Sequence, residues 1–238
     1  MLSRRTLLLG LASGASLWSA PKTIAGIPFE VIRNGKGKRR YLLIHGDEQT
    51  AREVLREHMK THEGIAHLVT GEDRYVPVTG GKIDPNRLFS REGAEKNLKR
   101  VNPDWSEDQV AAELARLEKD RRKLLDAIVP PEGGLLVAVH NNARGYSVNE
   151  EVPISDAASI KAQESPHEFY LATDESDFRI LATSPYNAVL QIKGPTEDDG
   201  SLSRLMARRK VRYVNLECAL GNRDRQREML EWIERNLP

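Results

Sequence analysis

Three side chains in this sequence stand where a strand-like apolar run gives out. Tyr41-Leu42-Leu43-Ile44 ends in His45, Leu135-Leu136-Val137-Ala138-Val139 ends in His140, and Val211-Arg212-Tyr213-Val214-Asn215-Leu216 ends in Glu217. In an open α/β sheet the ligand crevice lies beyond the carboxyl ends of the strands, so the three are expected to converge. Glu48 follows His45 by three residues, across Gly46 and Asp47, where the strand should give way to a helix. That spacing puts His45 and Glu48 on one side of a first helical turn, close enough to chelate a single ion. With His140 the set becomes two imidazoles and a carboxylate, a common arrangement for a catalytic zinc that keeps a fourth position for water. The lone cysteine, Cys218, excludes an intrachain disulfide and a thiolate cluster, so any metal must rest on histidine and carboxylate.

Positioning such a set takes a sheet of ordinary size. The 238 residues, 39% hydrophobic with 36 basic against 35 acidic side chains, suit one globular domain and exclude a disordered chain or a polytopic membrane protein. A net charge of +1 supplies no global field toward nucleic acid or an anionic bilayer, so neither is expected as a partner. Strands are expected at 29–32, 41–44, 65–69, 135–139, 188–192 and 211–216. The basic, glycine-containing run 36–40 reads as a turn joining the first two in a hairpin. Helices are expected at 48–60, at 107–128 with Ser106 and Gln109 as a capping box, and at 223–236. Strands interleaved with helices give an α/β fold, with a mixed sheet if the opening hairpin belongs to it.

His45-Gly46-Asp47-Glu48, then Asp84-Pro85-Asn86-Arg87-Leu88-Phe89, then His140, then Glu217 resemble the ordered motifs of the zinc carboxypeptidase superfamily, including its succinylglutamate desuccinylase and aspartoacylase branch. The resemblance runs from Tyr41 to about Gly221. It implies a three-layer α/β/α domain with a mixed, mostly parallel sheet. It also implies one zinc ion on His45, Glu48 and His140, carboxylate recognition by Asn86 and Arg87, and Glu217 as general base. For the family's further oxyanion-stabilising arginine the candidates are Arg74 and Arg144, the latter in a loop just after His140-Asn141-Asn142; for its mobile tyrosine they are Tyr146 and Tyr186. Asn141 and Asn142 are candidates for contacts to substrate or for orienting the ligands.

Other groups read as ordinary surface. His58 and His62, four apart, have metal-ligand spacing, but with His67 they break the His-Glu-x-x-His pattern and read as a solvated cluster. Glu150-Glu151 and Glu197-Asp198-Asp199 read as loop charges, and Arg204, Arg208, Arg209, Lys210 and Arg212 as a solvated helix end. Cys218 should point away from Glu217 into the core.

Residues 1–25 have the layout of an export signal. Arg4-Arg5 precedes an uncharged run that lasts until Lys22, and Ser3-Arg4-Arg5-Thr6-Leu7-Leu8 resembles a twin-arginine signal. Cleavage after Ala25 or Ala20 would leave residues 26–238 as a single metallohydrolase domain in the periplasm or cell envelope, without a stable membrane span. The activity expected is hydrolysis of an amide next to a free carboxylate, in a peptide such as a cell-wall stem peptide. The alternatives are an N-acyl amino acid deacylase and a zinc-retaining binder of peptide termini.

Overall fold

A computed structural model of the protein describes residues 21–142, 146–193 and 197–238. The strands are β1 (Lys22–Ile24), β2 (Ile27–Asn34), β3 (Arg40–Leu43), β4 (Gly64–Val69), β5 (Val76–Val78), β6 (Gly81–Ile83), β7 (Leu136–Asn142), β8 (Ala157–Ser159), β9 (Phe169–Ala172), β10 (Asn187–Leu190) and β11 (Tyr213–Ala219). The helices are α1 (Gln49–His58), α2 (Arg91–Val101), α3 (Glu107–Ile128), α4 (Val148–Glu151), α5 (Glu175–Leu181), α6 (Leu202–Arg209) and α7 (Arg223–Asn236). Nine strands form one sheet in the order β1-β2-β4-β3-β7-β11-β9-β10-β8, and β5 pairs with β6 alone. The central strands β4, β3, β7 and β11 are parallel, and antiparallel neighbours flank them on both sides.

Alternation along the strands sorts the core into two layers. Leu42, Leu136, Ala138 and Tyr213 face α2, α3 and α6 through Ala94, Leu98, Leu114, Leu124 and Met206. Tyr41, Leu43, Val137, Val139, Val214 and Leu216 face α1, α5 and α7 through Leu55, Leu181, Met229 and Ile233. The result is the expected three-layer α/β/α domain with a mixed sheet whose core strands are parallel. Cys218 is buried in the second layer, so Glu217 turns to the first.

The hairpin expected between β2 and β3 does not form. β2 pairs antiparallel with β4, from Phe29 opposite Val69 to Asn34 opposite Gly64, and β3 lies parallel on the far side of β4. Every residue of β4 is buried, and a strand with no solvated side needs both backbone edges paired, so β4 inserts between the other two. Helix α3 has the expected bounds and capping box, whereas the unanticipated α2 shows only Gly93, Ala94, Asn97 and Leu98 to the interior, too thin an apolar stripe to read as periodic. His58 is also buried, against the expectation of a solvated cluster, with its ring against Tyr41.

His67 lies inside β4, its ring edge-on to Phe29 and its Nδ1 without a hydrogen bond. Burial, with Arg40, Arg33 and Lys22 nearby, lowers its pKa from 6.5 to about 4. The unfolded chain therefore binds the proton more readily, so this contribution to stability is complete above pH 6.5 and falls away as pH drops toward 4. His67→Leu is expected to remove about 3 kcal/mol of pH dependence from the window between pH 6.5 and 4. Denaturant titrations of both proteins at several pH values check this; parallel acid limbs would refute it.

Candidate functional site

Beyond the carboxyl ends of β3, β7 and β11 lies a cavity of about 400 Å³, lined among others by His45, Glu48, Arg74, Asn86, Arg87, His140, Tyr146 and Glu217. The structure thus brings together the residues read from three distant strand ends. β11 and β7 pair so that Glu217 lies directly beside His140, both on the face of the first core layer.

The turn from β3 into α1 is held by backbone contacts that few side chains would tolerate. Gly46 N donates to Asp73 O at 3.0 Å, and a Cβ on Gly46 would come within 2.5 Å of that oxygen. Buried Arg52 donates to Val69 O at 2.6 Å, Gly46 O at 3.1 Å and Gly71 O at 2.9 Å, tying the first turn of α1 to the loop after β4. Glu48 is the N-cap residue of α1, but its side chain does not cap the helix. It points instead between two imidazoles.

His45 Nδ1 lies 2.8 Å from Glu48 Oε1, and His140 Nδ1 lies 3.2 Å from the same carboxylate. His45 Nε2 lies 3.0 Å from Asp84 Oδ1. Both ring nitrogens of His45 therefore face carboxylates, while a neutral imidazole has one proton to give. With Nε2–H donating to Asp84, the lone pair on Nδ1 faces the carboxylate of Glu48, an arrangement that calls for a cation between them. Glu48 Oε2 is buried and lies 3.2 Å from His140 Nδ1 without a well-aligned hydrogen bond. Burial alone would pull the His45 pKa down, but the charge of Glu48 and the hydrogen bonds to Asp84 and Glu48 raise it to about 9. Burial would raise Glu48, yet His140 and His45 bring it to about 2. A proton is one answer to this cluster; a metal ion held by His45 Nδ1, Glu48 and His140 Nδ1 is the other, and these donor atoms all lie within 4.8 Å of one another.

Glu217 is buried and accepts from Asn215 Nδ2 at 3.0 Å. Burial raises its pKa to about 7, with His140 opposing and Glu48 adding to the rise. A carboxylate poised there can exchange a proton near neutrality.

Asn86 and Arg87 fall on a short 3-10 turn, Pro85–Arg87, whose N-cap Asp84 accepts from Asn86 N. Asn86 Oδ1 accepts from Leu202 N at 3.0 Å, which leaves its amide NH2 as the donor group. Arg87 Nη1 lies 3.7 Å from Asp199 Oδ2, and Arg204 Nε lies 2.8 Å from Asp199 Oδ1. Arg208, Arg209 and Lys210 form the expected exposed basic end of α6, whereas Arg204 belongs to the cavity wall and Arg212 forms a two-pronged pair with Asp177. Glu151 likewise is no loose loop charge: it lines the cavity and accepts from Tyr146 Oη at 2.7 Å.

Of the two arginine candidates, Arg74 lines the cavity, 3.4 Å from Asp84 and 3.9 Å from Glu48; Arg144 lies outside the described residues. Of the tyrosines, Tyr146 lines the cavity, while Tyr186 packs on Tyr170 in the opposite layer and is removed from the site. Asn141 is a structural pin: its Oδ1 accepts from Ala51 N at 2.8 Å, and its Nδ2 donates to Gln226, which donates to His140 O. Asn142 Nδ2 donates to His167 O. Asp84 is a further functional residue, partner of His45 and cap of the Asn86-Arg87 turn, whose only one-dimensional signal is its place beside Asn86 and Arg87.

No protein-family model and no curated protein matches this chain. Solved structures do match. A succinylglutamate desuccinylase from Silicibacter sp. TM1040 is 17% identical with a TM-score of 0.47, over 88% of this chain and 60% of that one. The product-bound ectoine utilization protein EutE (DoeB) from Ruegeria pomeroyi is 16% identical with a TM-score of 0.47, over 87% and 59%. The likeness is one of fold. This chain spans about 60% of the length of both. A protein of Shewanella baltica OS155 described as a metallopeptidase is 12% identical, with a TM-score of 0.42, over 91% of this chain and 84% of that one.

Carboxylates that hold a metal-binding histidine by its far nitrogen set metal affinity, typically by 10- to 100-fold. Asp84→Asn is therefore expected to weaken metal binding at His45, Glu48 and His140 by about that factor. Competition against a chromogenic chelator measures it; unchanged affinity would remove Asp84 from the site.

Proposed function

We propose that the chain is a metal-dependent hydrolase that cleaves an amide next to a free carboxylate. The observation that carries this reading is the buried carboxylate of Glu48 held between two imidazoles in the same cavity as Glu217. His45, Glu48 and His140 hold one divalent ion, for which zinc suits the donor set. Such an ion supplies a Lewis acid that polarises a carbonyl and makes water more acidic.

The chain's own residues supply the rest. Glu217 takes a proton from the attacking water onto its carboxylate and returns it to the leaving amine, help worth about 100- to 10,000-fold. Arg87 binds the substrate carboxylate through its planar fork, with the Asn86 amide as a second donor. Arg74, which lines the cavity, donates to the carbonyl oxygen as charge develops there. Asn215 holds the Glu217 carboxylate in place. This arrangement serves a carboxypeptidase acting on short peptides, cell-wall stem peptides among them. The size of the cavity equally favours the deacylase reading, since about 400 Å³ accommodates a single N-acyl amino acid. A binder of peptide termini would have no use for a buried carboxylate of near-neutral pKa beside the ligands.

Export through residues 1–25 is part of the proposal. Those beyond residue 20 form β1 and the turn into β2, so cleavage after Ala20 keeps a strand that cleavage after Ala25 would remove. Amino-terminal sequencing of protein from a periplasmic fraction distinguishes the two, and an intact Met1 in the cytoplasm would refute export.

Glu217→Gln is expected to lower kcat by about 100- to 10,000-fold while metal content holds, on a panel of muropeptides, C-terminal dipeptides and N-acyl amino acids. Arg87→Lys is expected to raise KM about tenfold through loss of the second parallel hydrogen bond. Full activity in Glu217→Gln, or no turnover of any panel member by zinc-loaded protein, would overturn the reading.

A further inference from the structure

On the opposite face of the sheet, at the other end of α1 from Glu48, a second group of ligand-type side chains meets. His58 is the last residue of α1, His62 lies one turn on, and Glu231 comes from the middle of α7. The two imidazoles are stacked, centroids 3.9 Å apart and planes within 4°. His58 Nδ1 lies 3.4 Å from Glu231 Oε1, and His62 Nε2 lies 3.5 Å from Glu231 Oε2.

The protons on these rings can be assigned from their other contacts. His62 Nδ1 lies 3.2 Å from the carbonyl oxygen of His58, which only accepts, so this nitrogen carries the proton. The Thr61 hydroxyl, donating to the same carbonyl, leaves its oxygen to accept from His62 as well. Neutral His62 therefore turns the lone pair of Nε2 toward Glu231. His58 Nε2 lies 3.3 Å from Glu234 Oε1, an oxygen that also accepts from Tyr41 at 2.6 Å, while Arg39 pairs with the other oxygen at 2.7 Å. With Nε2–H donating to Glu234, His58 also turns a lone pair, that of Nδ1, toward Glu231.

Two imidazole nitrogens and a carboxylate thus meet, a set that a proton on one ring or a single metal ion can satisfy. Protonating both rings would stack two imidazolium cations 3.9 Å apart. One divalent ion satisfies all three groups once the partly exposed His62 ring turns out of the stack, since parallel rings 3.9 Å apart cannot both hold one ion in their planes. The ligand-type atoms of His58, His62 and Glu231 lie within 4.8 Å of one another. The end of α1 contributes its own negative dipole. Access is open from one side: the His58 side chain is 2% exposed, whereas His62 is 26% and Glu231 36% exposed.

We propose that His58, His62 and Glu231 form a second metal site that takes a first-row divalent ion such as Zn²⁺, Co²⁺ or Ni²⁺ and clasps α1 to α7. Imidazole nitrogens with one carboxylate suit this class of ion. Across the ten residues of α1 the two sites stand roughly 15 Å apart, so they are separate centres and not a paired-ion site. The second site stands independently of the proposed activity.

The test uses the full chain, stripped of metal and then titrated with Zn²⁺, with ions counted by mass spectrometry and folding followed by circular dichroism. Wild type is expected to bind two ions, and His140→Ala, which disables the cavity site, is expected to keep one. Adding His62→Ala or Glu231→Gln to His140→Ala should abolish that remaining ion. The rise in Tm on adding Zn²⁺ to His140→Ala should vanish with it. Both added changes fall on partly exposed side chains, and Co²⁺ absorption of His140→Ala gives a second readout of the same ligands. Folded His140→Ala that takes up no ion, or uptake that survives both His62→Ala and Glu231→Gln, would overturn the proposal. Wild type whose single ion survives His140→Ala but not Glu231→Gln would sink the cavity centre and leave this one standing.

Discussion

The organisation of the molecule turns on one buried charge. Glu48 is 3% exposed, and an unpartnered carboxylate at that depth would cost several kcal/mol or lose its charge. It keeps the charge because His45 and His140 stand on either side, and His45 in turn leans on Asp84. Each of these residues comes from a different piece of chain: the turn after β3, the end of β7, the loop before α2. Folding must therefore deliver three segments to one place before the charge is tolerable.

Much of the remaining architecture enforces that delivery. Arg52 is buried in order to bind three carbonyls, so the loop after β4 and the turn into α1 cannot move apart without stranding its guanidinium. Asn141 spans the gap between β7 and α1 through Ala51, and Gln226 fastens α7 to the carbonyl of His140 itself. None of these residues need touch a substrate. They convert a set of weak local preferences into one geometry for His45, Glu48 and His140.

The parts legible in the sequence were those whose signal is local. Short apolar runs pointed to His45, His140 and Glu217, although β7 and β11 continue two residues past His140 and Glu217, and α3 followed from its capping box and apolar period. Pairing was less legible: the turn at 36–40 resembles a hairpin, and only the burial of all six residues of β4 shows why that strand intervenes. Charges were misread for a related reason. Arg204, Glu151 and Asp199 look like solvated residues in one dimension, because their cavity exists only after α6 and the 146–151 segment close on the sheet. His58 was hidden similarly, since the carboxylates that meet it lie about 175 residues further along the chain.

The wall that carries Asn86 and Arg87 is joined to α6 at close range. Asn86 Oδ1 accepts from Leu202 N, Phe89 N donates to Gly200 O at 3.0 Å, and a Cβ on Gly200 would collide with Arg87 O while one on Gly93 would collide with Gly200 N. The Asn86-Arg87 wall, seated on α2 and α6, is thus joined to the cluster on β3, β7 and α1 through Asp84, which accepts from Asn86 N and faces His45 Nε2. A shift of α2 against α6 therefore reaches His45 through that one carboxylate.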